Sequence, residues 1–167
     1  MPAIPDWALA LTFWIHFLAA VTLVGSLVAA ALLVLPAARA LDPLGQLNLI
    51  ASIQKRMEPA AWFSISLLIV TGLFQMSVNI HYNGFLSVSN QWTIAILVKH
   101  VLVVTMIVVS AVQTWDVLPS IRRLLLRKDK ASQEEALRLQ RREAWLLRAN
   151  LILAVLILGA TAVMRAA

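Results

Sequence analysis

Residues 92–115 read WTIAILVKHVLVVTMIVVSAVQTW, and this stretch decides the fold. About 20 predominantly apolar residues cross the hydrocarbon core of a bilayer as a helix, and here Lys99 and His100 are the only ionisable residues in a mostly apolar run bracketed by Trp92 and Trp115. Three further stretches satisfy the same criterion: Ala8–Leu35, Ala60–Ile80 and Trp145–Val163. Hydrophobic residues make up 61% of the 167-residue chain and charged ones 13%, more apolar surface than a soluble chain of this size can bury. The fold class is therefore all-α: an integral membrane four-helix bundle, with residues 1–167 forming a single transmembrane domain. The N-terminus carries no Lys or Arg before its apolar run, so the first stretch reads as a span and not as a cleaved signal peptide.

Charge gives the orientation. Arg39, Lys55 and Arg56 flank the first connection. Arg122, Arg123, Arg127, Lys128, Lys130, Arg138, Arg141, Arg142 and Arg148 occupy or flank the third. The N-terminus and the second connection have no Lys or Arg, and the C-terminal tail has Arg165. The positive-inside rule places the first and third connections in the cytoplasm and both termini outside, as in a multi-pass protein of a bacterial-type inner membrane. Trp7 and Trp92 fit an outer aromatic belt, Trp115 and Trp145 an inner one. The net charge of +6 mostly reflects this asymmetry and suits anionic lipid; no nucleic-acid-binding motif is recognisable. The basic segment from Leu118 to Glu143 reads as a helix, with a capping-box pattern Ser132-x-x-Glu135, that continues into the fourth span as a stalk or lies at the interface.

Cysteine is absent, which removes disulfides, thiolate ligands and Cys-ligated clusters. Phosphate loops, dinucleotide fingerprints and nucleophile elbows are also missing. The chemistry must then come from the few polar groups inside the spans. His16 lies nine residues past Trp7, and His100 eight past Trp92. At about 1.5 Å per residue both sit roughly 12–14 Å from the same side. Ionisable groups at such depth are costly and usually functional, and two imidazoles at one level suit a haem iron or a copper ion. Small Ala19 and Ala20 lie one turn from His16; Ile96, Leu97, Val103 and Val104 surround His100. Lys99 either snorkels to the surface or balances a haem propionate. His81, in the second connection, is a further metal candidate. Met76 is the methionine placed near the histidines, while Met1, Met57, Met106 and Met164 read as packing. Glu58, Asp116, Arg148 and Asn150 are expected to tie helix ends together through ion pairs and hydrogen bonds. Gly25, Gly72 and Gly159 read as close-packing positions.

Several of these segments resemble a known family. His16-Phe-Leu-Ala-Ala-Val-Thr-Leu-Val-Gly25-Ser26, with Leu-Leu-Val-Leu-Pro36 a little later, resembles the first span of CopD-like proteins. Arg56 followed by Ala60-Ala-Trp-Phe-Ser-Ile-Ser-Leu-Leu-Ile-Val-Thr71-Gly72 resembles the second, and Leu97-Val-Lys99 the early third. The resemblance implies a four-helix membrane protein of copper uptake or resistance. A more distant similarity to HemJ-like proteins implies haem b. His100, directly after the lysine, is not part of that resemblance, and it turns the expectation toward a bis-histidine haem b centre. In that reading His16 and His100 ligate the iron, Lys99 faces a propionate, and no residue is catalytic. The chain is then a single-electron carrier or binding subunit rather than an enzyme, with a redox partner or larger membrane complex beside it. The alternatives are a CopD-type copper protein, using His16, His100, His81 and Met76 as metal ligands, and an accessory subunit without chemistry of its own.

Overall fold

The computed structural model describes residues 5–79, 91–126 and 132–166. Four long helices run through them: α1 (Asp6–Ala38), α2 (Pro43–Ser77), α3 (residues 91–126) and α4 (Ser132–Ala166). Each is long and apolar enough to cross a membrane. Their outer faces carry large apolar side chains, with Phe17, Leu33, Phe63, Val104 and Ile152 all at least 60% exposed. Gln46, Ser64, Thr71, Thr93, Gln113, Glu143 and Asn150 are buried instead. Such an apolar exterior, with polar side chains turned inward, is stable only in lipid, so the chain is a multi-pass membrane bundle.

The helices alternate in direction. Thr12 and His16 of α1 meet Gln75 and Thr71 of α2, and Ser110 and Gln113 of α3 meet Asn150 and Glu143 of α4. Packing is most extensive within these two antiparallel pairs, α1 on α2 and α3 on α4. One end of the bundle therefore carries both termini and the other the two basic connections; they are called here the terminal end and the basic end.

Proline shapes two of the helices. Pro36 and Pro119 lack the N–H that would bond the preceding turn, and their rings crowd it. Each follows a π-helical turn, Ala30–Val34 before Pro36 and Gln113–Val117 before Pro119. The wider turn absorbs the clash without breaking the helix, and π turns of this sort recur at functional sites. At the start of α2, Asp42 accepts from the Gly45 N–H at 3.3 Å, with Pro43 at the first helical position. A Cβ at residue 45 would stand 2.7 Å from Asp42 Oδ1, so a larger residue there would oblige the capping carboxylate to shift.

The helices overrun the expected spans at the basic end. α2 begins at Pro43 rather than near Ala60, and α3 continues to Leu126. α4 begins at Ser132, where the capping-box pattern lies, and runs unbroken into its span. The overhangs form a packed stalk. Leu47 and Ala51 of α2, Val117, Leu118, Ile121 and Leu124 of α3, and Ala136 and Leu146 of α4 share one core. The basic segment is thus part of the bundle: Arg122, Arg123, Arg138, Arg141 and Arg142 face outward while Leu118, Ile121, Leu124 and Ala136 are buried.

Candidate functional site

Two polar clusters lie within the bundle, one toward each end. The cluster toward the terminal end is built on His16. Thr71 Oγ1 lies 2.5 Å from the carbonyl of Leu67, to which it donates its only proton. His16 Nδ1 lies 2.7 Å from the same oxygen, so the ring must be the donor in that contact. The neutral ring therefore carries its proton on Nδ1 and its lone pair on Nε2. Gly72 makes the approach possible: a Cβ there would stand 3.4 Å from His16 Cε1. One turn nearer the terminal end, Gln75 Nε2 donates to the Thr12 carbonyl at 3.3 Å and fixes the register of α1 on α2.

His100 is also held through Nδ1, by another route. Its Nδ1 lies 2.8 Å from the Ile96 carbonyl of its own helix, and a carbonyl only accepts. The ring therefore carries a proton on Nδ1. Holding one imidazole nitrogen by a hydrogen bond so that the other can take a metal is the usual arrangement around metal-bound histidines. From α3, the Lys99 ammonium is close enough for its charge to act on His16. Met76 is buried in a cluster with Trp92 and Ile96, against which Met164 of α4 packs. Ile96 is one turn from His100, so two thioethers lie in the same part of the bundle as the imidazoles. His81 falls in residues 80–90, outside the described residues.

The cluster toward the basic end is built on Glu143, which is fully buried. Gln54 of α2 and Gln113 of α3 each donate a side-chain N–H to its Oε1. Asn150 donates to Ser110 Oγ at 3.1 Å, and Trp62 Nε1 to Thr114 Oγ1 at 3.3 Å. A cavity of about 90 Å³ opens beside them, lined among others by Gln54, Glu58, Ser110, Gln113, Thr114 and Asn150.

The expected tie among Glu58, Asp116, Arg148 and Asn150 takes a different form. Asp116 pairs with Arg142 at 2.6 Å on the exposed surface, Arg148 is exposed, and Glu58 lines the cavity. Of the three glycines, Gly72 meets His16, while a Cβ at Gly25 or Gly159 would touch nothing within 4 Å. Sequence reasoning missed Thr71 as the partner of His16, Met164 beside Met76, and Glu143 altogether. Glu143 was legible. Ala136, Glu143, Leu146, Leu147, Asn150 and Ala154 repeat at helical spacing and are all buried, and Glu143 is the acidic residue on that otherwise mostly apolar face.

Among the described residues, no three His, Asp or Glu side chains come together as a metal-holding group. A metal at the terminal-end cluster would need thioether or backbone donors besides imidazole. The class is that of a four-helix membrane bundle with imidazole and thioether side chains between its helices. The family model of CopD, Copper resistance protein D, matches residues 51–164, and the chain belongs to this family. The match covers Thr71, Met76, Lys99, His100, Glu143 and Met164; His16 precedes it. No curated protein and no solved structure matches the chain.

Proposed function

We propose that this protein handles copper ions inside the membrane, with His16 as the principal donor and Met76, Met164 and His100 completing the set. One observation carries the reading: Thr71 and Gly72 hold His16 in the tautomer that presents the Nε2 lone pair. Imidazole suits copper in either oxidation state, and thioether selects Cu(I). Membership of the CopD family supports copper as the cargo. The positive-inside rule supports a location in the outer half of a bacterial-type inner membrane, with both termini outside.

Haem b is the second reading. It rests on the same feature, since two imidazoles held through Nδ1 would serve a low-spin iron through Nε2 as well. The paired methionines and the family favour copper. Lys99 would be the propionate partner in the haem reading; in the copper reading it is a cation beside His16 that weakens binding of a second cation.

Competition titration of Cu(I) against a soluble chelator tests the proposal on the full-length protein in detergent. His16→Ala should lower the affinity at least tenfold, and Met76→Leu severalfold. Affinity unchanged by His16→Ala would overturn the copper site. A low-spin haem spectrum after reconstitution, lost in both His16→Ala and His100→Ala, would establish the haem reading instead.

A further inference from the structure

We propose that Glu143 is a proton-binding carboxyl in the basic-end half of the bundle, a site separate from the histidine cluster. Its side chain is fully buried. Both amide donors, from Gln54 and Gln113, go to Oε1; Oε2 has no partner, and neither has Gln54 Oε1. Among the described residues no cation pairs with it, the ion pair there being Arg142 with Asp116. The charged groups on the packed elements are turned outward: Arg39 just past α1, Lys55 and Arg56 of α2, Asp116 and Arg122 of α3, and Arg142 and Arg148 of α4 are all exposed. Glu58 is half-buried on the cavity wall, and it adds a negative charge rather than a counter-cation.

A buried carboxylate with one bare oxygen and no counter-cation is costly. A proton on Oε2 removes the charge and turns that oxygen into a donor. The amides holding Oε1 keep the group in place in both states. The neighbouring cavity supplies the route. Its volume of about 90 Å³ is ample for water, which needs only about 10–15 Å³ of such space. Gln54 Oε1 and Asn150 Oδ1, on residues that line it, are buried acceptors without a partner, which waters would satisfy. Gln54 and Gln113 line the cavity and also contact Glu143, so they stand between cavity and carboxyl. The π turn that absorbs Pro119 contains Gln113, tying the site to the distortion of α3.

Infrared difference spectroscopy of the full-length protein in phospholipid vesicles tests this. At pH about 6, solvated carboxyls with pKa near 4 are ionised. Wild type should still show the carbonyl stretch of one un-ionised carboxyl, and it should fade as pH rises further. Glu143→Gln should abolish the band. Gln113→Leu, which keeps the carboxyl but removes a hydrogen bond to it, should shift the band in frequency. The second variant assigns the band should Glu143→Gln fail to fold. Absence of the band in wild type overturns the proposal. So does a band that survives in folded Glu143→Gln or fails to move in Gln113→Leu. Loss of the band on adding Na⁺ or K⁺ at constant pH would identify an inorganic-cation site and also overturn it.

Discussion

Thr71→Val isolates the hydrogen bond on which the copper reading depends. Valine matches threonine in shape but has no hydroxyl, so packing between α1 and α2 is retained while the 2.7 Å contact to His16 is lost. Thr71 is only 7% exposed, so the orphaned Nδ1–H has little water to turn to. Leaving a buried donor unsatisfied costs about 1–3 kcal/mol. The ring can escape that cost only by rotating or by moving its proton to Nε2, and either change spoils it as an Nε2 donor. Removing such an outer partner of a metal-bound histidine typically weakens binding by about 10- to 100-fold, or about 1.4–2.8 kcal/mol. Chelator competition with Cu(I) on the purified full-length protein reads this directly. Thr71→Ser, which keeps the hydroxyl, should restore most of the affinity. Should Thr71→Val bind copper as wild type does while His16→Ala does not, the orienting role of Thr71 is wrong.

Three further outcomes are expected. Gly72→Ala places its methyl at an ordinary 3.4 Å from His16 Cε1 and should leave copper affinity nearly unchanged, whereas Gly72→Leu should displace the ring and match His16→Ala in the same titration. Asp116→Asn removes an ion pair whose side chains are about half exposed; such pairs contribute about 1 kcal/mol or less, so its denaturation midpoint should scarcely move, and a large drop would show the pair to be structural. The chain has no cysteine, so single cysteines report topology cleanly: Asp6→Cys should react with an impermeant maleimide on intact cells and Arg123→Cys only after lysis, and the reverse pattern would refute the orientation.

The four spans were readable because lipid imposes a simple rule on each helix, an uninterrupted apolar length. That rule says little about rotation. α1 and α3 are apolar nearly all round, so which face His16 or His100 presents was not encoded in periodicity. The structure settles His16 through Thr71 and Gly72, on a neighbouring helix 55 and more residues away in sequence. The stalk was partly legible. Its charge marked it as lying beyond the membrane, but the leucines of Leu118–Leu126 become a core only beside Leu47 and Ala51 of α2, a segment read as a connection. Glu143 was legible only through that helical spacing. It follows Arg141 and Arg142 and reads as one more charge in a solvated run, until helical spacing puts it on the face of Leu146, Leu147 and Asn150. Met164, two residues before the end of α4, gave no sign in the sequence of meeting Met76; only the packing of the helices brings the two thioethers into one cluster.

The central claim is that copper is bound by imidazole and thioether between these helices. X-ray absorption at the copper edge of the Cu(I)-loaded full-length protein tests it most directly. The account predicts imidazole scattering together with a sulfur shell, the imidazole component falling in His16→Ala and the sulfur shell in Met76→Leu. A spectrum of oxygen donors alone, or one that neither substitution changes, would contradict it.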